Sequence, residues 1–221
     1  EPLWHPHLSS FLQIAGEQGF KVILTTNGSL LANQQPTLLS AAALHKVNIS
    51  LHAFEANDLN IPFETYLQNC FDFGKTAEGT KLVVYRLWNQ GGSDKRNEEI
   101  LKMLEQHFPK PWVQERKGIR IGNRVYLEYG DKFDWPDLTA AEGDSRVFCY
   151  GLRDQIGILA DGTVVPCCLD NNGTVALGNI FESSLDEILS TPRAKAIYEG
   201  FSRRNAPEPL CRRCTYARRF K

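Results

Sequence analysis

Four cysteines, Cys149, Cys167, Cys211 and Cys214, run in the order C-x17-C and then C-x2-C, and they limit how the last third of the chain can fold. A Cys-x-x-Cys pair turns two thiolates toward one centre from a single tight loop. A strand-turn-strand segment that closes at Cys167 brings further sulfur from another side. Four soft donors of this kind suit zinc or an iron–sulfur cluster. Zinc ribbons normally carry two Cys-x-x-Cys pairs, and here there is one. Disulfide frameworks belong to much smaller, core-poor extracellular domains, so metal ligation is the preferred role for the quartet. Cys168 follows Cys167 directly and points the other way along an extended chain, which makes it a packed or idle thiol. Cys70 shares a helical face with Leu67 and Phe71 and reads as core.

The first half alternates two periodicities. Leu8, Phe11, Leu12 and Ala15 follow helical spacing up to Gly19, and Lys21 to Thr26 is then a short β-branched run. The cycle repeats with a helix over Pro36 to His45 and a strand from Val47 to His52. It repeats again with a helix over Phe63 to Ala77 and a strand from Lys81 to Leu87. A fourth helix presents Ile100, Leu101, Leu104 and Phe108 on one face. Such alternation predicts right-handed βαβ units and a parallel sheet, with strands apolar on both faces under helices.

From Ile119 the texture changes to a hairpin about Gly122-Asn123, continued by Val125, Leu127 and Tyr129. The stretch Gly130 to Ser145 is acidic and turn-rich, and residues 131–145 read as a linker. A small loop-rich unit follows, over residues 146–221. Its hairpin pairs Gln155 to Ala160 with Thr163 to Pro166 about Asp161-Gly162, and Ser184 with Glu187 forms a capping box for a helix through Leu189. So few apolar residues make a poor independent core, which is where a metal contributes most.

Composition narrows the partners. With 221 residues, 42% of them apolar, and a net charge of −1, the chain can bury a sizeable core and has no global attraction to nucleic acid or anionic lipid. No apolar run reaches bilayer length and no signal-like segment opens the sequence, so a cytoplasmic protein is expected, without membrane or nucleic-acid partners. The arginines Arg203, Arg204, Arg212, Arg213, Arg218 and Arg219, with Lys221, read as a solvated, partly frayed tail. His5 and His7 flank Pro6 and read as surface or capping residues.

The segment Cys149…Gly162-Thr163-Val164-Val165-Pro166-Cys167-Cys168-Leu169-Asp170, then Leu177-Gly178-Asn179-Ile180 and Cys211-Arg212-Arg213-Cys214, resembles the SPASM or twitch domain of radical SAM enzymes. That family's pattern is a cysteine, nine to fifteen residues, a glycine, four residues and a second cysteine; here the enclosed lengths are twelve and four. Full SPASM domains bind two auxiliary [4Fe–4S] clusters. This chain lacks their later Cys-x5-Cys-x3-Cys continuation, so the resemblance implies one auxiliary [4Fe–4S] cluster on Cys149, Cys167, Cys211 and Cys214, as in the shorter twitch form.

Glu1-Pro2-Leu3 resembles the end of the family's Gly-Gly-Glu-Pro motif, whose glutamate region binds the amino group of S-adenosylmethionine. Thr25-Thr26-Asn27-Gly28, Asn48-Ile49-Ser50-Leu51-His52 and Val84-Tyr85-Arg86-Leu87-Trp88-Asn89 resemble the ends of the next three barrel strands. The resemblance therefore implies S-adenosylmethionine or substrate contacts at Glu1, Asn27, Ser50 and Arg86. Parallel sheets do bind ligands beyond the carboxyl ends of their strands, and an arginine there suits a carboxylate.

The implied fold is α/β: a partial (β/α)6 TIM-like radical SAM barrel over residues 1–130 and a small C-terminal α+β domain. The implied parent is an oxidoreductase or maturase. A catalytic cluster reduces S-adenosylmethionine to a 5′-deoxyadenosyl radical, the radical abstracts a substrate hydrogen, and an external electron donor serves the cluster. The substrate, whether peptide, protein or small molecule, is not named by the sequence. The Cys-x3-Cys-x2-Cys loop of that catalytic cluster is absent from these 221 residues, so the chain reads as a fragment without its own catalytic centre. Arg212 and Arg213, between two ligands, are expected to favour the reduced cluster. The alternative is a non-enzymatic module in which the four cysteines hold zinc, on an α/β scaffold that binds a protein partner.

Overall fold

The computed structural model describes residues 1–56, 61–92, 95–116 and 118–220. The chain forms two compact units, Glu1–Lys132 and Phe133–Lys221. No helix among the described residues is long and apolar enough to cross a membrane. Lys221, counted above with the terminal arginines, lies outside the described residues.

The first unit opens with α1 (Leu8–Glu17), β1 (Val22–Thr26), α2 (Leu31–Ser40) and β2 (Leu44–Ser50). It continues with α3 (Phe63–Ala77), β3 (Leu82–Gln90), α4 (Asn97–His107), β4 (Val113–Glu115), β5 (Gly118–Gly122) and β6 (Val125–Asp131). The strands form one six-stranded sheet in the order β1-β2-β3-β6-β5-β4. β1, β2, β3 and β6 are mutually parallel, and β5 and β4 add an antiparallel edge. The fold is thus mixed α/β with a sheet rich in parallel pairs, in line with the alternating periodicities.

The strands have two unlike faces, where the sequence suggested apolar residues on both. Val47 and Ile49 of β2, Val83, Tyr85 and Leu87 of β3, and Val125 and Leu127 of β6 share one core with Leu12, Leu38, Leu67, Phe71 and Leu104 of the helices. Full burial of each such side chain contributes about 1.5–3 kcal/mol. The residues between them, Lys46, Asn48, Ser50, Val84, Arg86, Tyr126 and Glu128, alternate onto the other face. There Lys46, Val84, Tyr126 and Glu128 line a pocket together with Glu115 and Arg116.

Two element boundaries differ from the sequence expectation. α2 begins at Leu31 rather than at Pro36, because the fully buried Leu31 and Leu38 carry the helical face through the proline. β2 begins at Leu44 and stops at Ser50, where Leu51–Ala56 coils into a 3-10 helix and takes His52 out of the strand. Gly28, at φ 84°, lies where a β-carbon would stand 2.8 Å from the Cys70 sulfur, so this turn needs glycine for both conformation and space. Cys70 is fully buried, as its helical face predicts.

The second unit contains β7 (Gly157–Ile158), β8 (Thr163–Val165) and β9 (Gly178–Asn179), followed by α5 (Leu185–Leu189), α6 (Pro192–Ser202) and α7 (Pro209–Arg212). The strands form a small antiparallel sheet in that order. The Ser184–Glu187 capping box is formed at the start of α5. Residues 133–145 hold little regular structure but are bound into this unit: Asp134 N donates to Thr215 Oγ1 and Gly143 N donates to the Arg212 carbonyl.

Candidate metal centre

The second unit brings the four cysteines to one pocket. Cys149, Cys167, Cys211 and Cys214 all line it, with a mostly apolar wall that includes Leu169, Val175, Phe201, Leu210 and Tyr216. Cys149 precedes a turn whose Gly151 N–H donates to its sulfur at 3.4 Å. Cys167 follows β8, and Gly157 of β7 lets the strands close: a β-carbon there would come within 3.1 Å of the Cys167 carbonyl. Cys211 sits in α7, and Cys214 N donates to the Cys211 carbonyl at 3.3 Å, one tight turn that carries both sulfurs to the pocket.

Burial governs the chemistry of these thiols. It raises the pKa of all four, to about 11 for Cys167. The neighbouring cysteines add to the rise at Cys149, Cys167 and Cys211, because each thiolate would repel the next. A group of neutral thiols in a dry pocket is what a positively charged metal centre converts to thiolates. Among the described residues, no three His, Cys, Asp or Glu side chains gather around the position of a single ion.

Four thiolates on one zinc, at about 2.3 Å each, stand roughly 3.8 Å from one another. A cubane gives each cysteine its own iron and seats the sulfurs farther apart. The donor set, four thiols with no imidazole among the lining residues, fits an iron–sulfur cluster. Cys168 is exposed and lies outside the pocket.

Asp170, which the sequence reading left without a role, lines the same pocket and is only 4% exposed. Its two carboxylate oxygens accept from Thr174 N at 2.8 Å and Val175 N at 2.7 Å, and its own N–H donates to the Cys167 carbonyl. The carboxylate therefore shapes the loop that holds Cys167. Its sequence signal was the turn-forming Asp170-Asn171-Asn172-Gly173.

Arg212 and Arg213 are not part of a frayed tail. Arg212 pairs with Glu142 and donates to the Pro207 carbonyl at 2.7 Å; Arg213 donates to the carbonyls of Ala140 and Pro209 and pairs with Glu142 at 3.2 Å. Both guanidiniums are spent on fastening residues 140–143 to α7, which is why they are well covered. The charge expected to act on the pocket is shared with Glu142.

In the first unit, the residues singled out from the strand ends fall near one level of the sheet. Ser50 pairs in register with Arg86, and Arg86 with Glu128. Asn27 follows Thr26, which pairs with Ile49, so it stands beside Ser50. The Glu1 carboxylate accepts from Asn27 N at 2.7 Å, Thr26 Oγ1 at 2.7 Å and Leu3 N at 3.1 Å, which ties the N-terminal segment to the end of β1. The Arg86 Nε donates to Glu128 Oε2 at 3.0 Å, and its guanidinium lies 4.4 Å from the centre of the Trp88 ring. The internal carboxylate that meets Arg86 is that of Glu128, which only strand pairing identifies. His5 accepts from His7 N and packs on Phe11, a local surface arrangement.

Residues 149–215 match the family model of SPASM, an iron–sulfur cluster-binding domain. Among solved structures the chain resembles Streptococcus suis SuiB, with 13% identity and a TM-score of 0.57, over 91% of this chain and 56% of that one. The chain thus spans little more than half the length of that structure. No curated protein shows a significant match. These findings bear out the resemblance to radical SAM enzymes with a SPASM domain.

Proposed function

With residues 149–215 as an iron–sulfur cluster-binding domain, we propose that the chain is part of a radical SAM oxidoreductase or maturase and carries an auxiliary [4Fe–4S] cluster. Cys149, Cys167, Cys211 and Cys214 would hold it. When bound, such a cluster supplies one-electron redox chemistry or a coordination site for substrate. The observation that carries this reading is the convergence of all four thiols on one pocket, within the residues that match an iron–sulfur cluster-binding domain. Around that centre the chain's own residues exclude water and fix the donors. Phe201, Leu210 and Tyr216 wall the pocket, and Asp170 holds the Cys167 loop.

The first unit, in this reading, is the later part of a (β/α)6 barrel whose strand ends bind S-adenosylmethionine. Arg86 is held from one side by Glu128 and from another by Trp88, so its outer nitrogens are set in place for a carboxylate before any ligand arrives. Ser50 and Asn27 offer polar groups at the same end of the sheet, and Glu1 closes it. A catalytic centre beyond these residues would supply the 5′-deoxyadenosyl radical that takes a hydrogen from substrate. An external reductant would serve the parent enzyme, which belongs in the cytoplasm. Anaerobic reconstitution with iron and sulfide tests the proposal. A brown protein whose colour depends on Cys211 and Cys214 supports it, and a colourless protein holding one zinc rejects it in favour of a structural module.

A further inference from the structure

Among the described residues of the second unit, Phe181 is the most exposed large apolar side chain, at 78%. It stands in the loop between β9 and α5, and that loop is not slack. Phe181 N donates to Asn179 Oδ1 at 2.9 Å, and Asn179 Nδ2 donates to the Asp161 carbonyl at 2.8 Å. Ile180 N donates to the Gly162 carbonyl, while Glu182 N and Ser183 N both donate to the Asn179 carbonyl. The Asp161-Gly162 turn of the β7–β8 hairpin and the Phe181 loop are thereby joined into one piece. The ring rests on bare glycine: a β-carbon on Gly162 would stand 2.6 Å from two atoms of the Phe181 ring. Ile180 and Leu185, also exposed, extend the apolar surface.

The charge around this ring is of one sign. Residues 154–192 include six acidic side chains and no lysine, arginine or histidine. Asp170 is buried at the cysteine pocket, whereas Asp161, Glu182, Asp186 and Glu187 are exposed and belong to the turn and loop that hold Phe181. Among the described residues none of these four forms an ion pair. The Thr163 N–H that Asp161 accepts, and the Ser184 hydroxyl and N–H that Glu187 accepts, hold both carboxyl groups below their ordinary pKa values, so both stay ionised at neutral pH.

A scattered apolar residue on a surface is ordinary. A fixed aromatic ring in a field of unpaired carboxylates is a selective surface. We propose that the Asp161-Gly162 turn and residues 180–187 form a docking surface for a basic polypeptide segment of a partner protein, which sets an apolar side chain on Phe181 and lysines or arginines on either side of it. Charge complementarity selects this occupant. Nucleic acid and anionic lipid are repelled, and a second copy meeting this face about a two-fold axis sets carboxylates against carboxylates. A loop already fixed by its own hydrogen bonds loses little freedom when the segment arrives. The inference is independent of what the four cysteines hold.

Fluorescence anisotropy of a dye-labelled amphipathic peptide of lysine and leucine, titrated with the full chain, tests the assignment. A glutamate–leucine peptide of the same length is the control. The parent is expected to bind the basic peptide, more weakly as salt rises, and not the acidic one. Phe181→Ser is expected to keep the parent's melting temperature, since the ring is open to water, and to bind about tenfold more weakly. Glu182→Lys combined with Asp186→Lys is expected to lose about as much affinity and to flatten the salt dependence.

No binding of the basic peptide by the parent would overturn the proposal, as would equal binding of the two peptides or undiminished binding by Phe181→Ser. If the serine variant melts early, the paired charge reversal decides in its place, and undiminished binding there rejects the surface. Self-association of the parent that Phe181→Ser abolishes in gel filtration would overturn it as well, by giving this face to a second copy.

Discussion

Arg86 and Glu128, on neighbouring parallel strands and in register, join across the sheet face that carries the polar residues, with Nε donating to Oε2 at 3.0 Å. The pair is partly covered, with side-chain exposures of 17% and 30%, so it is worth more than a fully solvated ion pair and less than a buried one. Its main effect is geometric. Using Nε for Glu128 fixes the plane of the guanidinium while Trp88 lies against it.

Arg86→Lys should therefore fail as a conservative change. An ammonium has no planar fork to hold Glu128 and offer further donors at once, and it loses the stacking surface. A loss of about 1 kcal/mol in urea denaturation is expected, with roughly tenfold weaker binding of S-adenosylmethionine by calorimetry. Parental values in both would remove Arg86 from the site.

Asp170→Asn tests the loop that carries Cys167. The amide can accept at one oxygen only, so either Thr174 N or Val175 N loses its acceptor in a buried setting. The expected cost is about 1–3 kcal/mol. Reconstituted protein should hold less iron per chain than the parent, read by metal analysis after gel filtration. Full iron content with unchanged melting would show that the loop holds itself.

Gly74→Ala sets two effects against each other. In the middle of α3 alanine should gain up to about 1 kcal/mol over glycine. Its β-carbon would collide with the hydroxyl of the fully buried Tyr85, which donates to the Cys70 carbonyl at 2.9 Å. Overpacking of this kind costs about 1–3 kcal/mol, so a net loss is expected in chemical denaturation. A more stable variant would mean that Tyr85 has room to move.

The lowered pKa of His52 gives a pH dependence with a definite sign. The folded ring resists protonation more than the unfolded one. Its contribution is complete above pH 6.5 and is lost as pH falls through the folded value. Arg86 is the charged group beside it. Denaturation of the parent between about pH 7 and about pH 5 should show a steeper loss of stability than that of His52→Asn. Identical slopes would place the imidazole in water.

The sequence was most informative where one residue type leaves few options. Helical and alternating periodicities located α1, α3, β1 and β3 closely, since each buries a single apolar face. Asp161-Gly162 and the Ser184–Glu187 box were legible because turns and caps are chemistry between near neighbours. The spacing around Gly162 and Cys167 pointed to the family of the second unit. Long-range pairings were not legible. The carboxylate that meets Arg86, and the glutamate that gathers Arg212 and Arg213, depend on register and loop path, which no local pattern encodes. His52 was read as strand because nothing in its own neighbourhood marks the exit of β2 at Leu51. The polar face of the sheet was missed for a related reason: short runs such as Val83 to Leu87 look apolar throughout until pairing shows which side Arg86 takes.

What the four sulfurs hold decides the chemistry of the second unit. Iron, sulfide and zinc should be measured per chain, with Mössbauer spectra, on anaerobically reconstituted parent protein and on Cys211→Ala. The expected result is about four iron and four sulfide with a cubane spectrum in the parent, and loss of both in the variant together with protease sensitivity of residues 133–221 only. One zinc per chain, no retained iron, and an equally resistant Cys211→Ala variant would contradict it.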